Sequence, residues 1–205
     1  MSHHRDDLEI EVKFFLPDRS SLRQKILDTG AAGQGDVFEF NARFDDPGES
    51  IKKAASILRL RKDARTILTF KRRPSENNDQ FKVHRELEVT VDSFEVMAQI
   101  LQSLGFYQCQ IYEKRRETFL LQQSLLCLDR MPFGDFLEIE GPGTEIRSIA
   151  DRLELDWDHR ILHTYLEIFA EIQRELVLPF TDITFENFKN VRWRPADFMR
   201  RFAAA

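Results

Sequence analysis

Polar and apolar residues alternate with a period of two along six short segments of this chain. The first is Glu9-Ile10-Glu11-Val12-Lys13, which puts Glu9, Glu11 and Lys13 on one face of a strand and Ile10 and Val12 on the other. Arg59 and Arg61 share a face against Leu58 and Leu60, and Thr69 and Lys71 share one against Leu68 and Phe70. Lys82, His84, Glu86 and Glu88 line up against Val83, Leu87 and Val89, with Arg85 on the apolar side. Lys114 with Arg116, and Glu138 with Glu140, complete the set, and Asp129 ends the strand before the last pair. Strands are predicted over 8–16, 37–44, 57–62, 66–72, 81–91, 111–121, 124–130 and 135–140. Helical patterns interrupt them. One follows Pro17-Asp18 with Leu22, Ile26 and Leu27 on a face; one follows Ser93, where Asp92-Ser93-Phe94-Glu95 resembles a capping box; one starts at Thr144; and one covers 162–175. Asp45–Gly48 and Pro74–Asp79 read as loops.

A single amphipathic strand wets its polar face. Six of them in one small domain imply a charged interior. A sheet of about eight strands that closes on itself has an interior wide enough for side chains or a small ligand. With the apolar faces packed outward on the helices, the lumen holds Lys13, Arg59, Arg61, Lys71, Lys82, Lys114 and Arg116 together with Glu9, Glu11, Glu86, Glu88, Asp129, Glu138 and Glu140. Unpaired buried ions cost several kcal/mol each, so these groups must pair, stay hydrated or await a charged ligand. Arginine and lysine in number suit phosphate oxygens. Clustered carboxylates suit a hard divalent cation such as Mg²⁺ or Mn²⁺. A polyphosphate carrying a metal satisfies both sets, and phosphoryl transfer requires just such positioning and charge neutralisation.

Composition narrows the alternatives. At 205 residues, 42% hydrophobic and 32% charged, the chain is a globular domain with a core rather than a disordered one. Its net charge of −5 argues against nucleic acid as the main partner. No apolar run approaches the roughly 20 residues that span a bilayer, and Met1–Asp7 lacks the apolar core of a signal peptide, so a cytoplasmic protein is expected. Cys109 and Cys127 are read as reduced thiols, and neither they nor the five histidines form a zinc spacing. The chain has no G-x-x-x-x-G-K-[ST] and no G-x-S-x-G, so neither a P-loop nor covalent catalysis is indicated. The segment 176–205 differs from 1–175: it mixes Phe180, Phe185, Phe188, Trp193, Phe198 and Phe202 with Lys and Arg. Such a mix can bind single-stranded nucleic acid. Packing on the body of the domain is the expectation, with a lid or a partner-binding arm as the alternative.

In order along the chain, these segments resemble the CYTH superfamily, the triphosphate tunnel metalloenzymes. E-x-E-x-K stands as Glu9–Lys13, R-x-R as Arg59–Arg61, T-x-K as Thr69–Lys71, the central acidic pair as Glu86 and Glu88, K-x-R-x-x-F as Lys114–Phe119, and the late acidic block as Leu128–Gly141. The resemblance implies an α+β fold, an eight-stranded antiparallel β-barrel with helices packed outside. It implies that Glu9, Glu11, Glu138 and Glu140, with Asp129 as a further candidate, hold Mg²⁺ or Mn²⁺. Lys13, Arg59, Arg61, Lys71, Lys82, Lys114 and Arg116 would cradle a triphosphate. Glu86 and Glu88 would orient the attacking water or assist a second metal, and Lys13 would also serve as a proton shuttle. The family often carries an inward Arg two residues before the central acidic pair, where this chain has His84. Either His84 replaces it, which is the expectation, or a bulge turns Arg85 inward.

One cradle serves two reactions: hydrolysis of a small-molecule triphosphate, or cyclisation of ATP to cyclic AMP by a class IV adenylyl cyclase. Hydrolysis is expected, because water needs no base pocket. A non-catalytic polyphosphate-binding module is the third reading, and it would not need the metal-binding acids. A homodimer is the default assembly.

Overall fold

The computed structural model describes residues 8–74 and 78–204. Ser75, Glu76 and Asn77 of the expected loop, and the N-terminal Met1–Asp7, lie outside the described residues. Eight strands among the described residues are β1 (Leu8–Leu16), β2 (Ala32–Asp45), β3 (Ser56–Lys62), β4 (Thr66–Arg72), β5 (Lys82–Val91), β6 (Tyr107–Leu121), β7 (Ser124–Met131) and β8 (Gly134–Glu140). They close into a barrel in the order β1-β5-β4-β3-β2-β6-β7-β8, and every neighbouring pair is antiparallel. β2 and β6 are longer than their alternation predicts. The start of β2, outside the strand expected over 37–44, pairs with β6 through a register shift between Gly33 and Gly35.

The helices are α1 (Arg19–Asp28), α2 (Ser50–Lys53), α3 (Phe94–Ser103), α4 (Gly143–Arg152), α5 (Tyr165–Glu175), α6 (Phe185–Phe188) and α7 (Pro195–Met199). The starts of α1, α3, α5 and α6 are fixed by side-chain caps. The Asp18 carboxylate accepts from Ser21 N at 3.0 Å, and Ser93 Oγ accepts from Val96 N at 3.2 Å. Glu95 does not complete a capping box there, because the third helical residue is Val96. The full reciprocal box is at Thr164 and Glu167, with Thr164 N donating to Glu167 at 2.7 Å and Glu167 N to Thr164 Oγ1 at 3.1 Å. α2 lies just beyond the expected loop at Asp45–Gly48 and starts because Asp45 accepts from Ile51 N and Lys52 N.

The apolar faces point outward onto these helices. Val12, Phe14 and Leu16 of β1, with Leu126 and Leu128 of β7, pack on Leu22 and Ile26 of α1 and Ile146 and Ile149 of α4. Side chains as buried as Ile26 or Ile149 contribute about 1.5–3 kcal/mol each. α3 covers Ala42, Phe44 and Leu60 through Leu101 and its neighbours. A third cluster is different, because Phe136 lies on the inward side of β8 opposite Asp129; it joins Phe136 and Phe133 to Ile168, Phe169 and Ile172 of α5 and to Ile183, Phe188, Phe198 and Phe202. Ile183 also bridges to Tyr112, and Ile161 bridges to both Lys13 and Ala203. The buried aromatics of the C-terminal segment are thus spent on packing and not displayed for stacking bases.

Candidate active site: a charged lumen

The strand parity that sends Val12 and Leu60 outward sends the charged residues inward. A cavity of about 490 Å³ is lined by Glu9 and Glu11 of β1, Arg59 and Arg61 of β3, Lys71 of β4, Lys82, His84, Glu86 and Glu88 of β5, Lys114 and Arg116 of β6, and Glu138 and Glu140 of β8. Thr164 and Tyr165 at the start of α5 line it as well. Two of the expected lumen residues sit behind this lining. Lys13 is 1% exposed, pairs with Glu138 and stands 4.2 Å from the Tyr165 ring centre. Asp129 is 0% exposed and accepts from Lys114 at 3.1 Å, from Arg116 Nε at 2.7 Å and from the Tyr165 hydroxyl at 2.9 Å. Its oxygens are therefore occupied by fixed donors.

The β5 register settles the His84 question. Glu9 pairs with His84 and Glu11 with Lys82, while on the other side Lys71 pairs with Glu86 and Thr69 with Glu88, with no bulge. His84 takes the inward place and Arg85 is exposed.

Acids and bases pair across the lumen. Lys71 Nζ lies 2.6 Å from Glu9 and 2.8 Å from Glu86, and Lys82 pairs with Glu11. Arg59 donates to the Tyr112 hydroxyl and to Thr69 Oγ1, both at 3.1 Å, and lies 3.4 Å from Glu88. Arg116 donates to Glu138 as well as to Asp129. Glu39 went unrecognised in the sequence. It is 2% exposed and lies 3.5 Å from Lys114 and 3.9 Å from both Arg61 and Arg116. Its only signal is the alternation Phe38-Glu39-Phe40, which any half-wet strand shows.

Burial by itself would raise every carboxyl here. At Glu39 the surrounding Lys114, Arg116 and Arg61 overcome it and hold the group at about 2. Glu9 and Glu86 compete for Lys71; Glu9, with Lys82 also near, is held below the carboxylate range, and burial pushes Glu86 above it. Glu140 is pushed up to about 7 by burial and then by the charges of Glu9 and Glu11. That repulsion is what a bound cation would relieve, so the donor chemistry fits a divalent metal. Among the described residues no three His, Cys, Asp or Glu side chains converge on one point; the carboxylates are drawn to Lys and Arg instead.

The fold is a closed antiparallel barrel whose lumen carries both acids and bases. Residues 7–179 match the CYTH domain model, and the chain belongs to that family. Residues 180–205 fall outside the match. Among solved structures it is similar to the PH1012 protein of Pyrococcus horikoshii, with 28% identity and a TM-score of 0.67 over 78% of this chain and 98% of that one. It is similar to a candidate adenylate cyclase of Vibrio parahaemolyticus, with 16% identity, a TM-score of 0.70 and coverage of 80% and 98%. A third is HpAC1 of Hippeastrum, a candidate adenylyl cyclase described as having a dominant triphosphatase activity, with 18% identity, a TM-score of 0.60 and coverage of 80% and 95%. The last two likenesses speak for the fold alone. No functionally curated protein matches the chain. Among the described residues no helix is long and apolar enough to cross a membrane.

Proposed function

We propose that the protein is a divalent-metal-dependent hydrolase of triphosphates, acting on inorganic triphosphate or a small organic or nucleoside triphosphate. The observation that carries this reading is the convergence of six cationic side chains, Arg59, Arg61, Lys71, Lys82, Lys114 and Arg116, on one cavity that also holds Glu9, Glu11, Glu138 and Glu140. A fixed cationic cradle stabilises the charge of a transferring phosphoryl group without reorganising. CYTH enzymes generally use divalent metals. Glu9, Glu11, Glu138 and Glu140 would hold Mg²⁺ or Mn²⁺, which when bound neutralises phosphate charge and polarises the reacting oxygens.

The remaining roles follow from contacts. Arg59 is braced by Tyr112 and Thr69, so its fork is preorganised for phosphate oxygens. Asp129 positions Lys114 and Arg116 from behind. Lys13 orients Glu138. Glu86 and Glu88 would orient the water that attacks the terminal phosphorus, with orthophosphate and the shortened phosphate chain leaving.

Hydrolysis is favoured over cyclisation by the aromatic content of the cavity. Its aromatic lining among the described residues is Tyr112 and Tyr165, and both hydroxyls are engaged, with Arg59 and Asp129. No Phe or Trp there offers a free face to an adenine. The test is a product assay with ATP and with inorganic triphosphate, each with Mg²⁺ and with Mn²⁺. Orthophosphate released faster from inorganic triphosphate, with no cyclic AMP, is expected. Cyclic AMP and pyrophosphate from ATP would make it a cyclase. Metal-independent triphosphate binding without turnover would make it a binding module.

A further inference from the structure

Tyr165 is the first helical residue of α5, and its backbone is placed by the reciprocal cap between Thr164 and Glu167. Its ring lines the lumen cavity and packs edge-on against Phe136 and Phe133, with ring centres 5.2 and 6.3 Å away. Two ammonium groups stand near the ring centre, Lys13 Nζ at 4.2 Å and Lys114 Nζ at 5.7 Å. The hydroxyl is 2.9 Å from Asp129 Oδ2; a carboxylate only accepts, so the O–H donates. Lys114 donates to the same oxygen at 3.1 Å. Arg116 is held differently. It grips Asp129 at two points and donates to Glu138 as well, so its planar fork is fixed without help. A lysine ammonium turns on a flexible stem and takes its place from what surrounds it. Glu39 Oε2 stands 3.5 Å from Lys114 Nζ and makes no hydrogen bond, so two carboxylates compete for this ammonium.

We propose that Tyr165 is the positioning residue for Lys114 in the triphosphate cradle. Its hydroxyl fills one side of Asp129 Oδ2 and its ring walls the ammonium from another direction. Lys114 therefore spends one of its three N–H donors on Asp129 and keeps the others for phosphate oxygens. With the hydroxyl gone, the ammonium is free to swing into the space beside Oδ2 and away from the cavity. Tyr165 belongs to a helix outside the barrel, so α5 takes part in building a cradle whose cations all come from strands. The inference rests on the triphosphate-binding reading above and adds a residue that reading does not use.

The decisive experiment is a double-mutant cycle in the full chain between Tyr165→Phe and Lys114→Met, read as kcat/KM with inorganic triphosphate and, independently of turnover, as affinity for inorganic triphosphate by calorimetry. Phenylalanine keeps the ring and its packing on Phe136 and Phe133, so the fold is retained and only the hydroxyl is lost. Tyr165→Phe is expected to weaken both quantities, kcat/KM by about tenfold, the scale of a lost hydrogen bond to a charged group. In the Lys114→Met background the same substitution should change neither by more than about twofold, because residues that act as a unit are not additive. Equal factors in the two backgrounds would overturn the positioning role, since a tyrosine kept only for packing weakens both proteins alike. Wild-type values in Tyr165→Phe alone would overturn it too. Both results leave the triphosphate reading standing. Wild-type protein that neither binds nor hydrolyses inorganic triphosphate would overturn that reading, and this inference with it.

Discussion

Arg116 and Asp129 face each other across the β6–β7 pair in a two-point contact, with Nε donating to one carboxylate oxygen at 2.7 Å and Nη2 to the other at 2.5 Å. Lys114 and the Tyr165 hydroxyl donate to the same carboxylate. Asp129→Asn removes the charge while the buried Lys114 and the half-buried Arg116 remain, so a loss of about 3 kcal/mol in urea unfolding is expected. Mn²⁺ affinity, measured by calorimetry under conditions where the variant is folded, should stay within about threefold of wild type, because fixed donors already occupy the Asp129 oxygens. A larger loss would place Asp129 in the metal shell.

Glu11→Gln should lower turnover at least about a hundredfold while inorganic triphosphate still binds within a few-fold of wild type, since it removes metal-directed charge and spares the phosphate contacts. Phosphate release and calorimetry give the two numbers. Glu138→Gln should also lose turnover but with a stability cost, because Lys13 and Arg116 both donate to Glu138. Wild-type turnover in either variant removes that residue from the metal shell.

Arg59→Ala is expected to raise KM and lower kcat together, each by roughly tenfold, because a braced guanidinium on a phosphoryl group contacts both ground and transition states. A change confined to KM would mean that Arg59 contributes only uniform binding. Steady-state kinetics with inorganic triphosphate decides it.

Glu39 links the lumen to acid stability. Its carboxyl lies at about 2 in the folded protein against an ordinary 4.5, so the unfolded chain binds the proton first as pH falls. The stabilisation is therefore complete above about pH 4.5 and is lost as pH falls toward about 2; the full contribution is on the order of 3 kcal/mol. Urea unfolding of wild type and Glu39→Gln across pH 7 to 3 should show the gap between them narrowing with acid. A constant gap would mean that Glu39 is not held by Lys114, Arg116 and Arg61.

Phe188 tests the C-terminal segment. It is 7% exposed and packs edge-on against Phe169 of α5 and Phe180. Phe188→Ala should cost about 3–5 kcal/mol in a single unfolding transition that includes the barrel. A separate early transition would show that the segment after 179 unfolds on its own.

Period-two alternation is enough to predict the barrel's two-sidedness. Side-chain direction along a strand is fixed by backbone geometry, so Glu9, Arg59, Lys71, Glu86, Lys114 and Glu138 could be assigned to one face from spacing alone, and closure then turned that face inward. His84 in place of an inward arginine was legible for the same reason. Which inward residues touch which depends on how the strands come together in the folded barrel. Glu39 looks like a solvated residue between two phenylalanines until Arg61 from β3 and Lys114 and Arg116 from β6 surround it. Asp129 reads as one more acid of the lumen until Tyr165, 36 residues later, reaches its carboxylate. The C-terminal aromatics are expected to pack on the domain, but which surface they cover is open until Phe133, Phe136 and α5 meet them. Each of these contacts joins residues far apart in sequence, and local alternation encodes only the face on which a side chain falls, not the partner that chain folding brings against it.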